Sequence, residues 1–118
     1  MSRIVLVTGG NRGIGRAIAQ KFVDNGDTVI VTSRSGDAIP GLHVVKCDVA
    51  DTSSVDAAFD LIEATWGPVE VAVANAGITR DGLIMRMNDD DITEVLNTNL
   101  TGAIRVARRA SRLSLIHI

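Results

Sequence analysis

The sequence predicts an α/β fold built on a doubly wound parallel sheet with helices on both faces. Short runs of apolar and β-branched residues, typical of strands buried on both faces of a parallel sheet, recur along the 118-residue chain. Segments with apolar residues at helical spacing alternate with these runs, and glycines join the first strand to the first helix. This alternation implies right-handed crossovers. Four strands are found, whereas a complete sheet of this class has about six.

The first half of the chain opens with a strand over residues 2–8 (SRIVLVT), directly before a glycine-rich turn. A helix follows over residues 13–25, and Gly26 stands where a helix C-terminus favours a left-handed residue. Two more strands are predicted over residues 27–32 and 42–47, because both are β-branched runs and a glycine- and proline-containing loop separates them.

The second half of the chain begins with a helix over residues 51–66, capped by Asp51 and ended by a glycine-proline pair. The fourth strand spans residues 69–74, and a polar loop follows it through Met87. A last helix is predicted from an Asn88 cap, because three aspartates occupy its first turn, where the helix dipole favours anions.

The last six residues, 113–118 (LSLIHI), break this helical pattern and are typical of a short strand that no turn precedes. Two interpretations stay open. The tail is either a genuine β-like terminus or a foreign sequencing artefact that follows a natural sequence cut near Arg112. In the second case residues 1–112 form the natural part of the domain.

The composition argues against several classes of function. A net charge of −2 gives no field that attracts nucleic acid or an anionic membrane. A single cysteine and two distant histidines predict neither a disulfide nor a metal site. No apolar run approaches the roughly 20 residues of a membrane span, and no signal-peptide core follows Met1, so a cytoplasmic location is expected. The chain has no tyrosine, which excludes a tyrosine acid within it.

Residues 8–15 (TGGNRGIG) lie between the first strand and the first helix, which is the position that a phosphate-binding loop requires. Glycines let the backbone approach a pyrophosphate, and the helix N-terminus supplies unpaired N–H donors. A plain strand-to-helix turn is the alternative. The spacing resembles the TGxxxGxG pattern of the short-chain dehydrogenase/reductase family, which implies a Rossmann fold. The cofactor-binding residues predicted in this loop are Gly9, Asn11, Arg12, Gly13, Ile14 and Gly15.

The end of the second strand bears on the cofactor. An acidic residue there is typical of NAD sites, whereas arginine suits the 2′-phosphate of NADP. This chain has Arg34 there and Arg12 in the glycine loop, and two guanidinium groups can bracket a phosphate. The alternative is two solvated surface arginines. NADP(H) is therefore the predicted cofactor.

Two more segments resemble the family's cofactor contacts. Asp48 and Val49 follow the third strand, where the family has an aspartate that contacts the adenine ring. Residues 75–77 (Asn75, Ala76 and Gly77) match its NAG element beside the nicotinamide ribose. The family usually has two asparagines here, and Ala74 takes the first position. Whether the motif still joins neighbouring strands is therefore left open, although the NAG element itself is intact.

Asn99 lies in the middle of the last predicted helix, where asparagine is a poor helix former. The resemblance implies that it sits at a disturbed helix turn and holds a water in a proton relay, which makes it the candidate catalytic residue. A polar face on an exposed helix is the alternative. Four arginines at positions 105, 108, 109 and 112 share one helix face. These arginines could bind an acidic carrier protein. The alternatives are a solvated helix face, compensation of the helix dipole, or a contact between subunits.

Residues 78–87 (ITRDGLIMRM) resemble the segment that follows NAG in 3-oxoacyl-acyl-carrier-protein reductases of fatty-acid biosynthesis. Four segments together resemble the actinobacterial branch of that group: TGGNRGIG at residues 8–15, MRM at 85–87, NLTGA at 99–103 and RASR at 109–112. The resemblance covers residues 3–112 and implies the N-terminal part of an NADPH-dependent homotetrameric enzyme acting on acyl-carrier-protein thioesters. Its serine, tyrosine and lysine are expected beyond Arg112, so this chain alone is expected to be inactive. The alternatives are another short-chain carbonyl reductase, such as an acetoacetyl-CoA reductase, and a noncatalytic nucleotide-binding module.

Overall fold

The computed structural model describes residues 2–77 and 88–116, with side chains as far as Arg112. The helices and strands follow the predicted order, and most boundaries shift by only one or two residues. The elements are β1 (Ile4–Thr8), α1 (Gly13–Asp24), β2 (Thr28–Ser33), β3 (His43–Lys46), α2 (Thr52–Thr65), β4 (Val71–Val73), α3 (Asp89–Val95), a π-helical segment (Leu96–Thr101) and α4 (Gly102–Ile116). The predicted polar loop and its motif at residues 78–87 lie outside the described residues.

The four strands form one parallel sheet in the order β3-β2-β1-β4. Leu6 in the central strand β1 stands opposite Ile30 of β2 on one side and Ala72 of β4 on the other. The chain adds β2 and β3 on one side of β1 and then crosses to the other side for β4. Such a reversal opens a crevice at the carboxyl ends of the strands. The predicted fold class is confirmed.

The core lies on both faces of this sheet, which explains why the strands are apolar throughout. Leu6 and Ile30 face α2 and α4, where they pack with Phe59 and Ile62. Their neighbours in sequence point to the opposite face, because side chains alternate along a strand. That face packs against α1 and contains Val5, Val7, Ala19, Val29 and Val31.

Both predicted helix caps are present. Asp51 accepts a hydrogen bond from the Ser53 N–H at 2.9 Å at the start of α2. Asn88 accepts one from the Asp91 N–H at 2.8 Å, and the Asp91 carboxylate accepts the Asn88 N–H at 3.3 Å. Gly26 adopts the predicted left-handed conformation, with φ of 91°.

The predicted last helix is not continuous, because a π-helical segment, Leu96–Thr101, separates α3 from α4. The strand interpretation of the tail is wrong for residues 113–116, since α4 continues to Ile116. No glycine or proline follows Arg112, so nothing local ends the helix there. Residues 117 and 118 lie outside the described residues, and a foreign origin for the tail stays a prediction.

The four arginines of α4 do not form one exposed face, which corrects that part of the prediction. Arg109 is 9% exposed and lies over the Phe59 ring at 5.2 Å. Its guanidinium pairs with Asp60 at 3.0 Å and with Glu63 at 2.9 Å on α2. Arg108 and Arg112 are exposed. Arg109 therefore joins α4 to α2 and is not available to an acidic partner.

Candidate functional site

An open cavity of about 540 Å³ lies at the carboxyl ends of the four strands. This volume is within the usual range for ligand sites. Every residue predicted from the sequence to bind cofactor lines it. These residues are Gly9, Asn11, Arg12, Gly13, Ile14, Gly15, Arg34, Asp48, Val49, Asn75, Ala76 and Gly77.

The glycine loop and the NAG turn pack backbone against backbone at one side of the cavity. A Cβ on Gly9 would lie 2.9 Å from the Ala76 Cα, and Gly9 has a φ of 66°. A Cβ on Gly15 would collide with the Asn75 side-chain amide and lie 2.6 Å from the Gly9 carbonyl oxygen. Both positions therefore require glycine for a close approach, in addition to any ligand they bind.

The N-terminus of α1 opens into the cavity without a side-chain cap. Its N-cap residue, Arg12, makes no capping hydrogen bond, and no acidic residue occupies the first turn. By contrast, α2 and α3 are capped by Asp51 and Asn88. A helix N-terminus with uncapped N–H donors favours an anion. Nothing lies within 4 Å of the Cβ position of Gly13, which leaves room for a phosphate at this end of the helix.

Thr8 joins β1 to the NAG turn. Its buried hydroxyl oxygen accepts the N–H of Asn75 at 3.0 Å and the N–H of Ala76 at 3.1 Å. The hydroxyl in turn donates to the Val73 carbonyl at 3.4 Å. The Asn75 side chain donates to the Gly9 carbonyl at 3.3 Å, so it ties the two turns together even though Ala74 replaces the usual first asparagine.

Arg34 is exposed at the cavity on a turn whose backbone is fixed. The Ser33 hydroxyl accepts the Gly36 N–H at 2.9 Å, and Gly36 has a φ of 72°. Sequence reasoning missed several residues that line the cavity around these contacts: Thr32, Ser33, Ser35, Cys47 and Thr98. The available signal was their position within two residues of Arg34, Asp48 or Asn99, which were predicted as site residues.

Asp48 both lines the cavity and shapes its own loop. Its carboxylate accepts the Ala50 N–H at 3.0 Å, and its N–H donates to the Ser54 hydroxyl at 2.8 Å. Val49 beside it is 4% exposed. Asp48 therefore lines the cavity and also serves as a loop carboxylate.

Asn99 lies in the π-helical segment and does not line the cavity. Its side-chain oxygen is 3.1 Å from where a Cβ of Gly77 would be, so it is adjacent to the NAG turn. Its neighbour Thr98 is buried and lines the cavity directly. The disturbed helix turn expected at Asn99 is present as the π-helical segment.

The family model described as short chain dehydrogenase matches residues 3–115. The chain belongs to the short chain dehydrogenase family. Membership implies a nicotinamide cofactor, and the uncapped α1 N-terminus and the close-packed glycines fit one. The predicted resemblance to this family is confirmed.

Two curated short chain dehydrogenases illustrate the similarity. The chain is 55% identical over 112 residues to the 3-oxoacyl-acyl-carrier-protein reductase MabA of Mycobacterium bovis, covering 95% of this chain and 45% of the relative. It is 42% identical over 118 residues to the 3-oxoacyl-acyl-carrier-protein reductase FabG of Vibrio harveyi, covering 93% and 48%. The chain thus spans about half the length of the curated relatives it matches.

Solved structures of short chain dehydrogenases share the fold. The ligand-free aldohexose dehydrogenase of Thermoplasma acidophilum superposes with a TM-score of 0.85 at 36% identity, covering 94% of this chain and 44% of that one. A short-chain dehydrogenase of Streptomyces avermitilis gives a TM-score of 0.87 at 30% identity, covering 96% and 45%.

The part of the chain that the structure describes contains neither a cluster of metal ligands nor a membrane-spanning helix. Within residues 2–77 and 88–116, no three His, Cys, Asp or Glu side chains come together as metal ligands. None of the helices in those same ranges is both long enough and apolar enough to cross a membrane.

Cys47 is expected to react slowly with alkylating reagents. It is 5% exposed, and burial raises the pKa of its thiol to about 11. Only about one molecule in a thousand would then carry the reactive thiolate at pH 8. The measurement is the rate of iodoacetamide labelling by intact-mass spectrometry, with the chain unfolded in urea as the control. Equal rates in the folded and unfolded chain would contradict the expectation and favour a reactive thiol.

Proposed function

We propose that this chain is the N-terminal, NADP(H)-binding part of a 3-oxoacyl-acyl-carrier-protein reductase of fatty-acid biosynthesis. The observation that carries the proposal is the convergence of the glycine loop, the uncapped α1 N-terminus and the NAG turn on one cavity. The identity of 55% to MabA, which is named as such a reductase, supports the substrate class. The proposed reaction reduces a 3-oxoacyl thioester to a 3-hydroxyacyl thioester.

In this proposal, each group of cavity residues binds a different part of the cofactor. Backbone N–H groups at residues 13–15 bind the pyrophosphate, because they lie at the positive end of α1. Arg12 and Arg34 bind the 2′-phosphate, which selects NADP(H) over NAD(H). Asp48 and Val49 contact the adenine ring.

The remaining predicted site residues serve the reacting end. The NAG turn, Asn75, Ala76 and Gly77, holds the nicotinamide ribose, and Asn99 holds a water that relays protons. When bound, NADPH supplies the hydride that reduces the ketone. The chain has no tyrosine, so we place the general acid, with its lysine and serine, beyond Arg112. The chain alone is then inactive.

The proposal extends to the whole protein. Residues 1–112 are the N-terminal part of the nucleotide-binding domain, and the sequence of the source gene decides whether residues 113–118 are natural or a foreign sequencing artefact. The parent enzyme is a cytoplasmic homotetramer that takes its substrate from an acyl carrier protein. Sequencing the source gene through codon 112 tests this directly. A fifth strand ending in serine, followed by Tyr-x-x-x-Lys, would support the reductase, whereas a stop codon after Ile118 would leave nucleotide binding alone.

Arg34→Ala is expected to weaken NADPH binding about 10-fold to 150-fold and to leave NADH binding unchanged. The reason is that a charge-assisted hydrogen bond to the 2′-phosphate contributes about 1.5 to 3 kcal/mol, and only NADPH carries that phosphate. The measurement is the dissociation constant of each cofactor by isothermal titration calorimetry.

Arg108→Ala is the matched control for this experiment, because Arg108 is an exposed arginine on α4 outside the cavity lining. It should bind both cofactors as the unmodified chain does. Equal affinity of the unmodified chain for NADPH and NADH would contradict the NADP(H) assignment while leaving nicotinamide cofactor binding intact.

A further inference from the structure

Arg105 of α4 reaches three other segments of the chain. Its guanidinium donates to the Val49 carbonyl at 3.0 Å, to the Asn97 carbonyl at 3.2 Å and to the Asn97 side-chain oxygen at 2.7 Å. Its Nε donates to the Thr52 hydroxyl at 3.2 Å. All four acceptors are neutral oxygens, in contrast to the carboxylates that pair with Arg109. This contact pattern orients backbone and amide groups and is not a salt bridge.

The loop that Arg105 holds carries cavity residues. Val49 lines the cavity, as does Asp48 before it, and neither is on the same element as Arg105. Asn97 reinforces the contact, because its side-chain amide donates to the Ala50 carbonyl at 3.3 Å while its oxygen accepts from Arg105. A planar guanidinium can serve these acceptors together in a fixed geometry, which a lysine ammonium cannot reproduce.

The close approach of α4 to this loop also depends on a glycine. A Cβ on Gly102 would lie 2.8 Å from the Val49 side chain and 3.1 Å from its carbonyl oxygen. Gly102 therefore lets α4 approach Val49 closely, one helical turn before Arg105 binds the Val49 carbonyl. The same helix begins directly after the π-helical segment, whose Thr98 lines the cavity.

We propose that Arg105 is a positioning residue for cofactor binding. It fixes the loop at residues 48–50, on the adenine side of the cavity, against the π-helical segment that brings Thr98 to the same cavity. Arg105 is not among the residues that line the cavity, so it acts through the loop and not by contact with the cofactor. The inference rests on the proposed function, because it assigns the cavity to a dinucleotide.

The first test is hydrogen exchange of the nucleotide-free chain. Arg105→Ala is expected to accelerate exchange in a peptide spanning residues 47–52, which includes the Ala50 N–H bound by Asp48. Arg108→Ala is the matched control and should leave that peptide unchanged, because Arg108 is exposed. Unchanged exchange in Arg105→Ala would overturn the proposal.

The second test is affinity for NADPH and for adenosine 2′,5′-bisphosphate, which carries only the adenine half. Arg105→Ala should weaken both about fivefold to tenfold, the scale of coupling between linked sites. Arg105→Lys keeps the charge and most of the stem, so it supplies a folded variant if alanine is not tolerated, and it should weaken both less. Native-like affinity for the adenine ligand, even with faster loop exchange, would assign Arg105 a structural role alone and overturn the proposal.

The outcomes separate this inference from the proposed function. If the unmodified chain binds neither ligand, the proposed function fails, and the positioning role fails with it. If the unmodified chain binds both ligands and the Arg105 variants bind them equally well, only the positioning role fails.

Discussion

Gly15→Ala is expected to lower NADPH affinity about 100-fold, equivalent to about 3 kcal/mol. The added methyl group would collide with the Asn75 amide and lie 2.6 Å from the Gly9 carbonyl oxygen, which is backbone and cannot rotate away. Either α1 or the glycine loop at Gly9 must move, and both line the cavity. Overpacking of this kind also lowers the free energy of unfolding by about 1 to 3 kcal/mol. Calorimetric titration and urea denaturation measure the two effects.

Gly26→Ala separates the effect on the site from the general effect of replacing glycine. Gly26 has a φ of 91° and nothing within 4 Å of its Cβ position, and it does not line the cavity. Alanine there is strained by about 1 kcal/mol but should bind NADPH as the unmodified chain does. If Gly15→Ala kept native affinity, the close packing of the glycine loop and the NAG turn would not be needed for binding.

Thr8→Val is expected to lower the free energy of unfolding by about 1 to 2 kcal/mol. Valine has nearly the same shape, but its methyl group cannot accept the N–H groups of Asn75 and Ala76. The Asn75 N–H keeps the Val73 carbonyl as an acceptor at 3.1 Å, so the cost comes mainly from the Ala76 N–H, which is left without its partner. The same change releases the NAG turn from β1, so NADPH affinity should fall as well. The shift in urea midpoint at constant slope measures the stability change.

Thr8→Ser is the matched variant, because serine keeps the hydroxyl and removes only the methyl group. It should retain most of the cofactor affinity. If valine and serine reduced affinity equally, the methyl packing of Thr8 would matter more than its hydrogen bonds, and the role assigned to the hydroxyl would be wrong.

The features that the sequence alone predicted well are those set by near neighbours. The apolar run of β1, the Asp51 and Asn88 caps and the left-handed Gly26 each depend on residues within one turn or one strand. The glycine loop is also local, and its position after a buried strand places it at the carboxyl edge of the sheet. The candidate cofactor-binding residues could therefore be assigned to the carboxyl edge of the sheet without knowledge of long-range contacts.

The features that could not be predicted depend on packing between distant segments. Helical spacing placed Arg105 and Arg109 on one face, but only the packing of α4 against α2 and the 48–50 loop gives each its partners. Thr8 lay within the quoted glycine motif, yet its partners at residues 75 and 76 are 67 and 68 positions away. The strand prediction for the tail failed for a different reason, since a run of six residues, four of them apolar, fits a strand or a helix equally well when no glycine or proline marks a boundary.

The sheet order bears on how the chain folds as it is made. Val5 of the central strand pairs on one side with Val29, which is 24 residues later in the chain. Its partner on the other side, Val71, is synthesised much later, 66 residues after Val5. At synthesis rates of about 5 to 20 residues per second, the edge of β1 that pairs with β4 stays unpaired for about 3 to 13 s after β1 emerges from the ribosome. During that time β1 can pair with β2 but presents an apolar, unpaired edge on the other side, which is a template for association between nascent chains.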